Sequence, residues 1–137
     1  MYLLDTNVIS ELRKKDRIDP GVLRWSQSVL PIMLYISAIS VLEVEIGILQ
    51  LERRDPTQGS ILRRWYNQAL RPAFEGRIVP VDHHVAECTA RFSVPNRRPE
   101  RDALIGATAA VHGYILVTRN IRDFGDMGLE LLDPWQF

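Results

Sequence analysis

Short apolar runs alternate along this chain with longer stretches of helical periodicity. The first run opens the sequence and stops on an acid, which predicts a buried strand over Tyr2–Asp5 with polar residues Thr6 and Asn7 behind it. Leu34-Tyr35-Ile36-Ser37 reads as a second short strand and Arg77–Val81 as a third, with Pro80 keeping that one short or at an edge. Tyr114–Thr118 is the fourth, and Leu129–Leu132 is a short last one.

Helical stretches fill the intervals. Thr6 or Asn7 caps a short helix through Glu11 or Leu12, and after the loop Asp16–Pro20 a second helix runs from Gly21 to Val29, ended by Pro31. Ser37 or Ser40 caps a long helix to about Arg53. Its Val41, Leu42, Val44, Ile46, Ile48, Leu49 and Leu51 cover much of its circumference, so it is expected to be largely buried. Asp55–Ser60 reads as a turn, followed by a helix over Ile61–Ala73 whose Leu62 and Trp65 face could meet a partner chain. Asp82 caps a helix carrying Val85, Ala86, Thr89 and Phe92. A basic, proline-interrupted segment, Ser93–Arg101, leads into a small-residue helix over Asp102–His112 that Gly113 terminates. Ile121–Asp126 is a loop or short turn, and Asp133–Phe137 is a tail. Strands alternating with helices imply an α/β domain with a parallel sheet covered on both faces.

Composition narrows the class. A chain of 137 residues with 46% hydrophobic and 25% charged side chains suits one soluble globular domain. No apolar run approaches the ~18 residues of a membrane span. The first strand begins at Tyr2, leaving no room for a signal peptide, so a cytoplasmic location is expected. The single cysteine, Cys88, excludes an internal disulfide, fits a reducing compartment and has no obvious base beside it. Seventeen basic and seventeen acidic residues cancel. That argues against a free-standing DNA-binding module, but not against a nuclease, whose acids offset its basic residues in the count.

The acids carry the chemistry. Asp5 follows the first strand, Glu43 lies early in the long helix, Asp102 starts the small-residue helix, and Asp123 follows the fourth strand close to Asn120. Strand ends and helix beginnings face one edge of a parallel sheet, where ligands bind. A set of oxygens without His or Cys suits Mg²⁺ or Mn²⁺ rather than zinc. Without a cation such carboxylates repel and raise one another's pKa. Each acid also has a plainer reading. Asp5 could cap a helix, Asp102 could complement a helix dipole, Asp123 could be a loop acid, and Glu43 could face solvent. Yet a glutamate inside so apolar a helix needs a partner. His83 and His84 read as surface or capping residues, and Trp25 and Trp65 as core or interface.

Four ordered segments resemble a known family. They are Leu3-Leu4-Asp5-Thr6-Asn7-Val8-Ile9-Ser10-Glu11, Ser37-Ala38-Ile39-Ser40-Val41-Leu42-Glu43-Val44-Glu45-Ile46-Gly47, Asp102-Ala103-Leu104-Ile105-Gly106-Ala107-Thr108-Ala109 and Val117-Thr118-Arg119-Asn120-Ile121-Arg122-Asp123-Phe124. Together they resemble the signatures of PIN domains, and more closely the VapC/FitB-type toxins of type II toxin–antitoxin systems; Asp133-Pro134-Trp135 resembles the ending of that subgroup. The resemblance implies a single PIN domain over 1–137, a three-layer α/β/α sandwich around a central parallel sheet, and a Mg²⁺-dependent ribonuclease for which Mn²⁺ substitutes. It makes Asp5, Glu43 and Asp102 the first three metal-binding and catalytic acids, and Asp123 or Asn120 the fourth position. Thr6 and Thr118 would support them by hydrogen bonds. Arg97, Arg98 and Arg101 would contact the RNA backbone, against the alternative of a solvated loop. The resemblance further implies a homodimer and a cognate VapB/FitA-like antitoxin that occludes the site, with operator DNA reached only through that antitoxin. Two rivals remain. One is a metal-dependent nuclease or phosphatase for another phosphate ester, which a substrate screen separates. The other is a degenerate PIN-fold binding partner, against which the retained Asp5, Glu43 and Asp102 argue.

Overall fold

Successive residues of a strand point to opposite faces, and that alternation sorts the core of this protein into two layers. The computed structural model describes residues 1–137. Its strands are β1 (Tyr2–Leu4), β2 (Leu34–Ser37), β3 (Ile78–Val79), β4 (Ile115–Val117) and β5 (Leu131–Leu132). They form one parallel sheet in the order β3-β2-β1-β4-β5. Leu4 lies opposite Ile36 and Val117, and these three join Val8, Trp25 and Ile48 on one face. Leu3 and Leu116 turn the other way, to Ile105, Ala109 and Phe124.

The first face is covered by α1 (Thr6–Leu12), α2 (Pro20–Ser28), α3 (Ala38–Arg54) and α4 (Pro56–Trp65), the last continued by a π turn over Tyr66–Leu70 and the short α5 (Arg71–Ala73). On the second lie α6 (His83–Ser93), α7 (Glu100–His112) and α8 (Ile121–Phe124). Cys88 is buried between α6 and α7 with Val85 and Ala107. This is the three-layer α/β/α arrangement that the alternation of elements implies. Strand order reverses at β1: the chain runs outward through β2 and β3, then crosses back to β4 and β5. Such a reversal opens a crevice at the carboxyl ends of the central strands.

Several local expectations are corrected. Neither Thr6 nor Asn7 caps α1; Asp5 takes the cap position, and Ser37 rather than Ser40 caps α3 by accepting from the Ile39 N–H at 2.9 Å. Asp55–Ser60 is not a turn. Asp55 accepts from the Gln58 N–H and Pro56 opens α4, so Asp-Pro here is a helix start. Gly59 is a helical residue, placed where α4 crosses α3: a Cβ on it would lie 2.5 Å from Glu52 Cα. Helix α7 begins at Glu100, with Pro99 in the cap position. Finally, α3 is not largely buried. Only its Ser40 and Ile48 are fully buried, while Leu42 and Leu49 are 45% and 53% exposed. The helix is apolar on more sides than this one chain covers.

Gly59→Ala tests the α3–α4 crossing. Alanine adds roughly 1 kcal/mol of helix propensity, against an overpacking cost of about 1–3 kcal/mol. The atom it meets is backbone and cannot swing away, so overpacking wins and the midpoint of urea unfolding falls.

Candidate active site

The crevice is built around Asp5. Its backbone N–H donates to Val117 O at 2.9 Å, prolonging the β1–β4 ladder past the strand end. That register sets the carboxylate beside Thr118, which is fully buried and donates from Oγ1 to Asp5 Oδ2 at 2.8 Å. Asn7 Nδ2 donates to the same oxygen at 3.3 Å, and the Thr6 N–H donates to Oδ1 at 2.8 Å. An ordinary cap would instead accept from the second or third helical N–H. The third of these, the Val8 N–H, donates to the Asp5 carbonyl instead. The Asp5 side chain is thus turned into the crevice. Three of its about four acceptor positions are filled, and Oδ1 keeps one open.

From α3 comes Glu43. Thr6 Oγ1 donates to Glu43 Oε1 at 2.6 Å and shares a 2.9 Å hydrogen bond with Ser40 Oγ, one turn earlier on the same helix. This is the partner that a glutamate in an apolar helix requires. Asp102 enters from the first turn of α7, and Asp123 from the single turn of α8, where its N–H donates to Asn120 O. Thr118 Oγ1 accepts from the Asn120 N–H at 2.9 Å, so the loop after β4 is pinned to the residue that holds Asp5.

The electrostatics show that the acids converge. Burial pushes Asp5 above the ordinary aspartate value; hydrogen bonds from Thr118 and the Thr6 N–H oppose the shift, while the charges of Asp102 and Glu43 add to it. Asp102 is also pushed up, first by burial, then by the charges of Asp123 and Glu43. Four carboxylates at one sheet edge are therefore short of positive charge. Their all-oxygen chemistry, together with the open position on Asp5, fits a hard divalent cation. A separate surface group, His83, His84 and Glu87, brings its ligand atoms within 4.8 Å of one another but is exposed and contains none of the four acids.

The three arginines ahead of Asp102 divide. Arg98 makes a two-pronged pair with Asp126, both contacts 2.9 Å, and donates from Nε to Phe92 O, so its guanidinium ties the proline-rich segment to the loop after α8. Its guanidinium, expected on an RNA backbone, is engaged within the chain by these contacts. Arg97 is exposed in a polar cleft with Ser93, Arg98 and Glu100. Arg101 reaches the acids themselves, with Nη1 3.8 Å from Glu43 Oε2. Two members of the hydrogen-bond network, Asn7 and Ser40, stand out in sequence only as possible caps; their real partners lie on other elements.

Comparison with known proteins places this architecture. The family model described as "PIN domain" matches residues 2–128. "VapC ribonuclease Y4jK" of Sinorhizobium fredii is 33% identical, with 99% of each chain covered. "Toxin FitB" of Neisseria gonorrhoeae is 33% identical over 98% of this chain and 99% of its own. The crystal structure of FitAcB from Neisseria gonorrhoeae superposes with a TM-score of 0.88 at 31% identity, covering both chains fully.

The raised Asp102 pKa gives a signed prediction. A carboxyl raised on folding binds its proton more tightly in the folded state. Stability therefore falls as pH climbs from the unfolded value through the folded one, and stays reduced above it. In EDTA, Asp102→Asn should be more stable than the parent at pH 7, and the gap should close as the pH is lowered toward 4 and below. Urea unfolding across that range is the measurement; a gap constant with pH would contradict the charge argument.

Proposed function

The chain belongs to the PIN domain family, and from that premise we propose that it is the ribonuclease toxin of a toxin–antitoxin pair, acting with Mg²⁺ or, in its place, Mn²⁺. The observation that carries this reading is the convergence of Asp5, Glu43, Asp102 and Asp123 at the carboxyl edge of the sheet, with Asp5 and Asp102 pushed up by burial and by neighbouring carboxylates. The whole chain, 1–137, serves as one PIN domain. Asp5, Glu43 and Asp102 would hold the ion, and Asp123 would contribute the fourth carboxylate. A divalent ion held there would supply activation of a water and charge neutralisation on the phosphodiester.

The remaining work falls to this chain's own groups. Thr118 and the Thr6 N–H fix the Asp5 carboxylate, and the Thr6 hydroxyl fixes Glu43, so neither acid needs to reorganise when substrate arrives. Asn120, held by its N–H on Thr118, offers an uncharged amide at the mouth of the site. Arg97 and Arg101 meet backbone phosphates, which positions RNA without reading its sequence. RNA is favoured over other phosphate esters because a full-length relative is named a ribonuclease.

The partner reading rests on uncovered apolar surface. Leu42, Ile46 and Leu49 follow one face of α3, with Leu42 and Leu49 exposed, and this face suits a second copy of the chain. An apolar cleft of about 210 Å³, lined by Leu4, Ile9, Leu12, Trp65, Leu70 and Phe74, suits a segment of a VapB/FitA-like antitoxin. Operator DNA is then bound through the antitoxin, in keeping with a net charge of zero here. No helix is long and apolar enough to cross a membrane. A cytoplasmic location belongs to the same proposal.

Two experiments test these points. Purified without any partner, the chain should cleave RNA in Mg²⁺ and stop in EDTA, and Asp5→Asn should lose on the order of a hundredfold or more of the rate. Full activity in chelator would refute the metal reading. Leu49→Glu should convert a dimer to a folded monomer by light scattering; an unchanged mass would move the dimer interface elsewhere.

A further inference from the structure

Arg101 occupies an odd position. It stands in the first turn of α7, where the helix dipole favours anions, and its neighbours Glu100 and Asp102 obey that preference. The arginine is half exposed, yet its side chain turns back over the site so that Nη1 lies 3.8 Å from Glu43 Oε2. It is the one basic side chain that pairs with any of the four acids. Two other arginine pairs in the protein are built differently. Arg63 meets Glu45 at 2.7 and 3.0 Å, and Arg98 meets Asp126 with two contacts of 2.9 Å, each a bidentate clamp on a less exposed guanidinium. The Arg101 contact is single, longer than a hydrogen bond and open to water. Glu43 Oε1 already accepts from Thr6, whereas Oε2 accepts no hydrogen bond and faces the guanidinium, so it is the freer oxygen for an ion.

We propose that Arg101 is an exchangeable counter-ion of Glu43, pairing with its free oxygen in the absence of a divalent ion and displaced when an ion takes that carboxylate. The inference rests on the metal reading above and adds to it a device: the site carries its own weak competitor, which offsets repulsion among the acids and sets the threshold of ion concentration at which they are filled. Arg101 is a positioning residue here, acting through Glu43.

The test is calorimetric titration of Mn²⁺ into the full chain as parent, Arg101→Gln, Glu43→Gln and the double variant. Removing the competitor should tighten Mn²⁺ binding about two- to fivefold, the range of an exposed ion pair. That gain should vanish in the Glu43→Gln background, because the contest is for that carboxylate. Arg101→Lys, which keeps the charge on a more flexible stem, should fall between parent and Arg101→Gln. The Nε–Hε resonance of Arg101 should shift as Mg²⁺ is added to the parent and stay still in Glu43→Gln. Mn²⁺ affinity unchanged in Arg101→Gln overturns this inference alone. An equal gain with and without Glu43 also overturns it, since that is the signature of a general field. No Mn²⁺ uptake by the parent overturns the metal reading and this inference with it.

Discussion

The hydrogen bond from the buried Thr118 hydroxyl to Asp5 Oδ2 ties the fold to its candidate chemistry. It joins the two residues that follow β1 and β4, the adjacent central strands at which the chain reverses its direction across the sheet. On one side the same hydroxyl accepts from the Asn120 N–H and so fixes the loop that carries Asp123; on the other, Asp5 receives the first N–H of α1. Strand register, helix entry and carboxylate orientation are thus settled by a handful of bonds around one buried acid. A register slip of one residue would turn Leu3 and Leu4 to the wrong faces and break those bonds together.

Such an arrangement is costly without a cation. Burial and neighbouring acids both push Asp5 and Asp102 toward the protonated form, and only the hydrogen bonds to Asp5 oppose it. Sites that destabilise their own fold in this way are common where function needs charge in a poorly solvated place. The structure spends several polar groups on containing the problem: Thr6 and Ser40 on Glu43, Thr118 and Asn7 on Asp5, and the loose Arg101 pair at the rim. Arg98 contributes at one remove, by anchoring the segment from which Arg101 and Asp102 project.

The sequence made the sheet legible because each strand is a short apolar run with a polar stop, a local signal. It also placed the four acids at one edge, since that follows from strand–helix alternation alone. Two kinds of feature were harder to read. Helix starts competed among neighbouring candidates: Asp5, Thr6 and Asn7 all have capping side chains, as do Ser37 and Ser40, and tertiary partners decided between them. Thr6 binds Ser40 and Glu43 across 34 and 37 positions of chain, and no periodicity reports such a contact. The Asp55–Pro56 helix start resembles a turn in sequence, yet Gly59 is there for the close approach to Glu52. Arg98 looked like Arg97 and Arg101 in sequence, and only the position of Asp126 separates it from them.

The apolar excess of α3 follows from the same logic. A helix apolar around most of its circumference predicts burial, and within this chain that prediction fails. Here the sheet and α4 cover part of α3, and Leu42 and Leu49 are left to solvent. The acids and the apolar stripe are carried by one element: Glu43 and Ser40 face the crevice while Leu42, Ile46 and Leu49 follow a different face. A chain docking on that face would therefore press on the helix that positions Glu43. The candidate site and the exposed apolar stripe thus share one helix, on two of its faces.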